Sequence, residues 1–469
     1  MDFIKAIKKT LKSKFDLIDN EKLKLNLLNA LPYWIAALIS GALAVLYAKL
    51  FSLAESGTQF IYTRAGWSLY IISPVSFILA WWLVSKYSPF ARGSGIPQVT
   101  AAIELSNPKH NYKVNSLLSL RVIFVKIFSS LIMVFGGGVV GREGPTIQIS
   151  GSIFKKINDL LPAWYPKISK RNMIVTGAAA GLAAAFNTPL GGIVFAIEEL
   201  TKTHFSFFKS ALLTGVIIAG ITALNILGPY LYLGYPQLSG VSLWVILAII
   251  PVIFATGIAG SGTGKIILYI IRKKLFLKKN YQKALYAGLC GLAIALLGVL
   301  ISSKIFGSGK DLMVSSLFSD QKRMDWYIPL LRMAGSVISF TAGTAGGIFA
   351  PSLSAGAAIG AVISGWFHLS NADTNLIILC GMTGFLTSIT RSPFTSSILV
   401  SEMTNSHNVI FYIMMTALLS NLLASVVSKR SFYDYLKDQY IHEIHQTETQ
   451  SADPVALTAN SAAQSEDSE

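Results

Sequence analysis

The sequence predicts an all-α protein that crosses a membrane many times and is built from two related halves. Three observations carry that prediction. Charged residues make up 13% of the chain and hydrophobic ones 52%, whereas a soluble domain usually carries about 25% charge. Tyr235–Gly264, Ala284–Ser303, Met333–Phe367 and Asn408–Ser428 contain no Asp, Glu, Lys or Arg, and a spanning helix needs about 20 mainly apolar residues. The same glycine and proline punctuation also recurs roughly 205 positions apart.

Along the chain, residues 1–29 mix charge with Leu, Ile and Phe at helical spacing and read as an interfacial helix. The first firm span is Leu31–Ala54 and the second about Trp67–Val84; further candidates follow almost without a break to Val427. The membrane domain is therefore expected over 30–436, with halves of about 30–205 and 206–436. Residues 437–469, rich in Ser, Ala, Gln and Glu, are expected to be a disordered tail.

The formal charge is +16. In a soluble chain this would suggest nucleic acid; here the position of the cations decides otherwise. Seven lysines lie between Lys5 and Lys24, a cluster at 155–171 flanks one loop, and Arg272 to Lys283 fill another. By the positive-inside bias these segments, and both termini, are expected on the cytoplasmic face against membrane lipid, with no nucleic-acid partner. Cys290 and Cys380 sit in apolar runs and suggest neither a disulfide nor a metal site. Ala259–Ile266 resembles a phosphate-binding loop but lacks its first glycine and carries Ile266 where Ser or Thr would hold magnesium. No cofactor, metal or enzyme activity is expected.

The repeat directs attention to particular residues. Phe135–Pro145 (FGGGVVGREGP) parallels Phe340–Pro351 (FTAGTAGGIFAP), with the prolines 206 positions apart. Gly177–Thr201 parallels Gly381–Thr404, and in both copies a proline, Pro189 or Pro393, precedes a glutamate, Glu198 or Glu402, by nine residues. Helices broken by glycine and proline survive at membrane depth only where protein or a water-filled cavity satisfies their backbone. Breaks at matching points of two halves mark a transporter's binding site; close packing of small residues is the alternative reading, and glycine alone does not separate the two.

Three motifs look like helix starts. Gly93-Ser94-Gly95-Ile96-Pro97 combines a capping serine, permissive glycines and a first-turn proline. Gly141-Arg142-Glu143-Gly144-Pro145 places a charged pair in an apolar region, which is functional by default. Gly346-Gly347-Ile348-Phe349-Ala350-Pro351 is its uncharged repeat partner. Helix N-termini offer free N–H groups and partial positive charge to an anion. Glu143 at such an end could occupy an anion site with its own carboxylate and vacate it on protonation. Glu198 has the repeat partner Glu402, which favours a structural task; Glu199 faces Met403 in the repeat and is a candidate proton acceptor. Tyr433 follows the last span, where tyrosine is usually an interfacial anchor.

GSGIP at 93–97, GREGP at 141–145 and GGIFAP at 346–351, in this order and spacing, resemble the CLC family of chloride channels and chloride/proton antiporters. The resemblance covers about residues 30–436. It implies two inverted halves of tilted, incomplete helices, and a homodimer with one pore per subunit. It further implies that the Ser94 hydroxyl, the Ile348 and Phe349 N–H groups and the Tyr433 hydroxyl bind the central anion. Glu143 resembles the external gating glutamate and Glu199, in AIEELT, the internal proton glutamate of the antiporters. Retention of Ser94 favours chloride, and the tail is too short for the regulatory CBS domains of eukaryotic members. The expected function is proton-coupled chloride antiport in a bacterial inner membrane; the alternative is a passive chloride channel of the same fold.

Overall fold

The computed structural model describes residues 19–107, 110–201, 209–228, 231–320, 322–367 and 369–446. The first half contains α1 (Glu21–Ala65), α2 (Leu69–Tyr87), α3 (Ile96–Leu105), α4 (Leu120–Phe135), α5 (Glu143–Leu160), α6 (Lys170–Phe186), α7 (Pro189–Phe195) and α8 (Lys209–Leu227). The second contains α9 (Val245–Lys274), α10 (Asn280–Leu300), α11 (Lys310–Phe318), α12 (Tyr327–Thr341), α13 (Phe349–Phe367), α14 (Asn371–Thr390), α15 (Pro393–Met403) and α16 (Ile410–Val427). A final helix, α17, covers 432–446. The halves repeat one another element by element, α1 with α9 through α8 with α16. No strand occurs among the described residues, only two isolated β-bridges.

Eight segments among the described residues are long and apolar enough to cross a bilayer. By contrast, α3, α7, α11 and α15 have 10, 7, 9 and 11 residues. At about 1.5 Å per residue none of these spans a ~30 Å hydrocarbon layer. They are the incomplete helices that the glycine and proline breaks foretold. Helix α1 has the opposite excess: its 45 residues extend about 68 Å at that rise, so it tilts or projects beyond the bilayer.

The centre is made of small residues. Every residue of α6 from Met173 and every residue of α14 from Ala372 is buried. A Cβ on Gly356 of α13 would lie 2.2 Å from the Gly381 carbonyl oxygen of α14. On α6, Gly177 and Gly181 meet Phe154 and Ser150 of α5 in the same way. Close approach of backbones is how helices gain packing energy inside lipid, where no hydrophobic difference drives them together. Large apolar side chains such as Leu53, Phe124, Leu247 and Phe411 point outward instead, toward the acyl chains.

Two reciprocal contacts show that the halves are related by a two-fold turn. Gly141 donates to the Gly347 carbonyl at 2.8 Å and Gly347 returns the bond at 2.7 Å; these residues stand 206 positions apart, so they are repeat equivalents meeting antiparallel. The second contact joins α7 and α15. Glu198, beyond α7, accepts from the Phe394 and Thr395 N–H groups at 3.2 and 2.6 Å. Glu402, on α15, accepts from Leu190 and Gly191 at 3.1 and 2.8 Å. Each carboxylate thus caps the start of the other's helix, where orphan N–H groups and the helix dipole favour negative charge.

Two expected boundaries are corrected. The boundary placed at 29/30 falls inside a single helix in the described part: α1 runs from Glu21, capped by Asn20, with Pro32 within it. The tail expected to be disordered from 437 is helical to 446, because Tyr440 and Ile444 bury against the core and Lys437 pairs with Glu104 at 2.8 Å. Residues 1–18 and 447–469 and the half boundary at 205/206 lie outside the described residues.

The capping glutamates give a direct test. Glu198→Ala and Glu402→Ala each lower stability by about 1–2 kcal/mol, read as a drop in melting temperature in detergent. Glu198→Gln and Glu402→Gln fall closer to the parent, since an amide oxygen still accepts. Unchanged melting in both alanine variants would contradict the reciprocal caps.

Candidate functional site

The three sequence motifs converge where the halves meet. A Cβ on Gly144 would lie 2.2 Å from Ser94 Oγ, and one on Gly347 would lie 3.0 Å from the Gly141 oxygen and 3.1 Å from the Gly144 nitrogen. Only glycine admits such contacts, so the GSGIP, GREGP and GGIFAP segments press together backbone to backbone. Two further bonds fix them: Gly93 donates to Thr344 at 2.7 Å and Gly346 donates to Gly93 at 3.1 Å.

The result is a cluster of helix N-termini at one buried point. Ser94 leads into α3, Glu143 begins α5, Ile348 and Phe349 begin α13, and Tyr433 lies in the first turn of α17. First-turn N–H groups have no intrahelical partner, and their dipoles add positive potential at the same place. Ser94, Glu143, Ile348, Phe349 and Tyr433 are each at most 2% exposed. Three of their polar atoms, Ser94 Oγ, Glu143 Oε2 and the Tyr433 hydroxyl, have no hydrogen-bond partner among the described residues. Buried polar groups are nearly always paired, so these three atoms beside open helix ends stand out as groups with hydrogen-bonding capacity to spare. The Ser94 and Tyr433 hydroxyls neighbour one another.

Glu143 shares this point. The place where a Cβ on Gly141 would stand lies 2.3 Å from Glu143 Oε2 and 3.3 Å from the Ala350 nitrogen, so the carboxylate turns in toward the start of α13. Its other oxygen accepts from the Tyr232 hydroxyl at 3.2 Å. Aromatic rings form one wall: Tyr232 and Phe186 are 5.0 Å apart, Phe186 and Phe349 6.5 Å, Phe349 and Tyr433 6.1 Å. On the side of Glu143 a cavity of about 340 Å³ opens, lined by Arg142, Tyr232, Glu55, Ser308 and Lys310 among others.

Glu199 stands apart from this contact set. It lies buried in the π-helical turn after α7 and accepts from Ser392 Oγ at 2.8 Å. π-Turns often occur at functional positions, and this one gives Glu199 an orientation different from that of its neighbour Glu198, which is engaged in the cap.

Several residues at the site escaped the sequence reading. Lys126 is fully buried and donates to the Ala91 and Gly93 carbonyls at 2.9 and 2.7 Å, holding the Ser94 loop from behind. Arg332, also fully buried, holds the carbonyls of Ile305 at 2.6 Å and Ser308 at 2.7 Å. The signal was present: both are charges inside apolar runs, 206 positions apart like Pro145 and Pro351. Tyr232, with Arg142 and Lys310 against its ring at 5.9 and 4.7 Å, had no motif to mark it.

The chain is similar to known proteins along most of its length. The family profile described as Voltage gated chloride channel matches residues 76–425. The chain is 30% identical over 376 residues to the H(+)/Cl(-) exchange transporter ClcA of Cronobacter sakazakii, covering 78% of each protein. It is 29% identical over 386 residues to the protein of the same name from Klebsiella pneumoniae, again covering 78% of each. Among solved structures, a slow cyanobacterial Cl-/H+ antiporter shares the fold with a TM-score of 0.75 at 23% identity, over 88% of this chain and 98% of that one. A CLC-type fluoride/proton antiporter does so with a TM-score of 0.72 at 21% identity, over the same shares. With the profile spanning most of the membrane domain, the chain belongs to the voltage-gated chloride channel (CLC) family.

Proposed function

We propose that this protein exchanges chloride for protons across a membrane. The observation that carries the reading is the trio of unpaired buried atoms, Ser94 Oγ, Glu143 Oε2 and the Tyr433 hydroxyl, around converging helix N-termini. Chloride accepts hydrogen bonds and donates none, so it suits two hydroxyls and the Ile348 and Phe349 N–H groups. The anion meets partial charges rather than a fixed cation, which lets it bind without being trapped, as conduction requires.

Glu143 makes the path an exchange. Ionised, its carboxylate competes with chloride for the same helix ends. Protonated, it loses that attraction, withdraws toward the cavity lined by Tyr232 and Arg142, and yields the place to chloride. Each return of the carboxylate expels an anion and releases a proton, so the two ions move in opposite directions. Glu199, oriented by Ser392, passes protons to and from the opposite face. The two relatives described as H(+)/Cl(-) exchange transporters support this reading over a passive channel, as does the retained acid at 199.

The lysine-rich face, which carries Lys155, Lys170 and the 272–283 loop, faces the cytoplasm under the positive-inside bias, in the inner membrane of a bacterium with both termini inside. Two copies associate, each with its own path. Supporting this, exposed Leu190, Ile197 and Phe394 surround the half-buried Glu198 and Glu402 caps, a patch that a second protein surface covers better than lipid. Light scattering in detergent should give twice the 50.7 kDa chain mass after subtraction of the micelle; a monomer would contradict the dimer alone.

Flux measurements on reconstituted variants test the mechanism. Glu143→Gln abolishes chloride-driven proton movement while chloride movement persists, and Glu199→Gln suppresses proton flux before chloride flux. Proton pumping that survives Glu143→Gln would sink the assignment. Ser94→Ala weakens chloride binding by about 1 kcal/mol, roughly five-fold, measured by calorimetric titration; an unchanged affinity would remove Ser94 from the site.

A further inference from the structure

The second half carries its own version of the Ser94 loop. Gly307-Ser308-Gly309 leads into α11 as Gly93-Ser94-Gly95 leads into α3. The backbones match: φ is +67° and +108° at Gly93 and Gly95, and +66° and +86° at Gly307 and Gly309. The buried supports match too, Lys126 behind one loop and Arg332 behind the other.

The serines differ in what they bind. Ser94 Oγ has no hydrogen-bond partner among the described residues. Ser308 gives both its N–H and its hydroxyl to one carboxylate oxygen, Oε1 of Glu55 on α1, at 2.7 Å each. Two donors converging on one acceptor is the arrangement that a small anion takes at a helix start. The Glu55 carboxylate is thus a covalently tethered anion seated in the second loop.

This loop opens on the cavity that leads to Glu143. The charged residues lining that cavity are Glu55, Glu143, Asp311, Arg142 and Lys310. Ionised, the three carboxylates outnumber the two cations. Neutralising or removing the Glu55 carboxylate balances them and frees both Ser308 donors. Glu143, fully buried with Oε2 unpaired, lines the same cavity, so an anion at Ser308 would stand one step outside the gate. We propose that the Ser308 loop is a second anion site for a monovalent halide, with Glu55 as its built-in competitor. The site needs only anion entry from this face and does not depend on proton exchange.

Bromide is the probe, because its anomalous scattering locates it in crystals of the intact protein. Glu55→Ala crystals grown in bromide should show a peak at Ser308 N and Oγ comparable to the peak at Ser94. Parent crystals should show at most a several-fold weaker one there. Adding Ser308→Ala to Glu55→Ala should reduce that peak several-fold and leave the Ser94 peak in place. Glu55→Gln keeps the link between α1 and α11 with a weaker, neutral acceptor. It should show the Ser308 peak at higher bromide concentration, which keeps the test open if Glu55→Ala does not fold. Bromide at Ser94 but none at Ser308 in both Glu55 variants would overturn the proposal without touching the transport reading. Loss of bromide from Ser94 alone would overturn the transport site and leave this one standing.

Discussion

The paired backbone bonds between Gly141 and Gly347 hold the structure's central constraint. They bring equivalent points of the two halves into contact in the buried interior of the protein. Backbone groups there have no water to turn to, so each must be matched within the protein. The mutual pair does this for two residues, and it forces α5 and α13 to start beside each other rather than at the membrane surface. Everything polar in the core follows. Helices that begin inside the protein leave their first N–H groups near a common point, and the crossing leaves no room for a side chain at Gly144 and little at Gly141 or Gly347.

The cost of carrying charge into this environment explains where the ionisable groups sit. Lys126 and Arg332 are fully buried and each is fastened to backbone carbonyls of a serine loop. Their positive charge stabilises the irregular loop backbone. The carboxylates fall at helix starts: Glu198 and Glu402 on each other's short helices, Glu55 on the Ser308 loop, and Glu143 at the start of α5. A carboxylate at a helix N-terminus is satisfied by the same groups that satisfy a free anion. Glu143 differs from the others in keeping one buried oxygen unpaired.

Much of this was legible in the sequence for identifiable reasons. The membrane class follows from charge scarcity, and the repeat from prolines and glutamates at nearly constant offset. Because Gly141 and Gly347 are repeat equivalents, the sequence pointed at the right junction before any geometry was known. It also separated Glu198 from Glu199 correctly as regards Glu198: the acid with a repeat partner proved to be a cap. Other features were illegible because they depend on chain crossing. The two-fold relation of the halves shows only in the reciprocal contacts, and the Tyr232 bond to Glu143 joins residues 89 positions apart. The helix through 446 escaped because its apolar residues, such as Tyr440 and Ile444, are sparse in a polar segment and act by packing on a distant surface. Lys126 and Arg332 were visible but unread; a charge within an apolar run at a repeat offset is a signal worth as much as a glycine motif.

The central claim is that one carboxylate and one anion alternate at the junction of the halves, so that their movements are tied. The most direct measurement follows chloride and proton flux together in the same liposomes, with the unmodified protein and an outward chloride gradient as the only driving force. Chloride efflux should drive protons inward and build a proton gradient, in a fixed ratio as the chloride gradient is varied. Chloride efflux with no accompanying proton movement would contradict it and leave the junction as a passive pore.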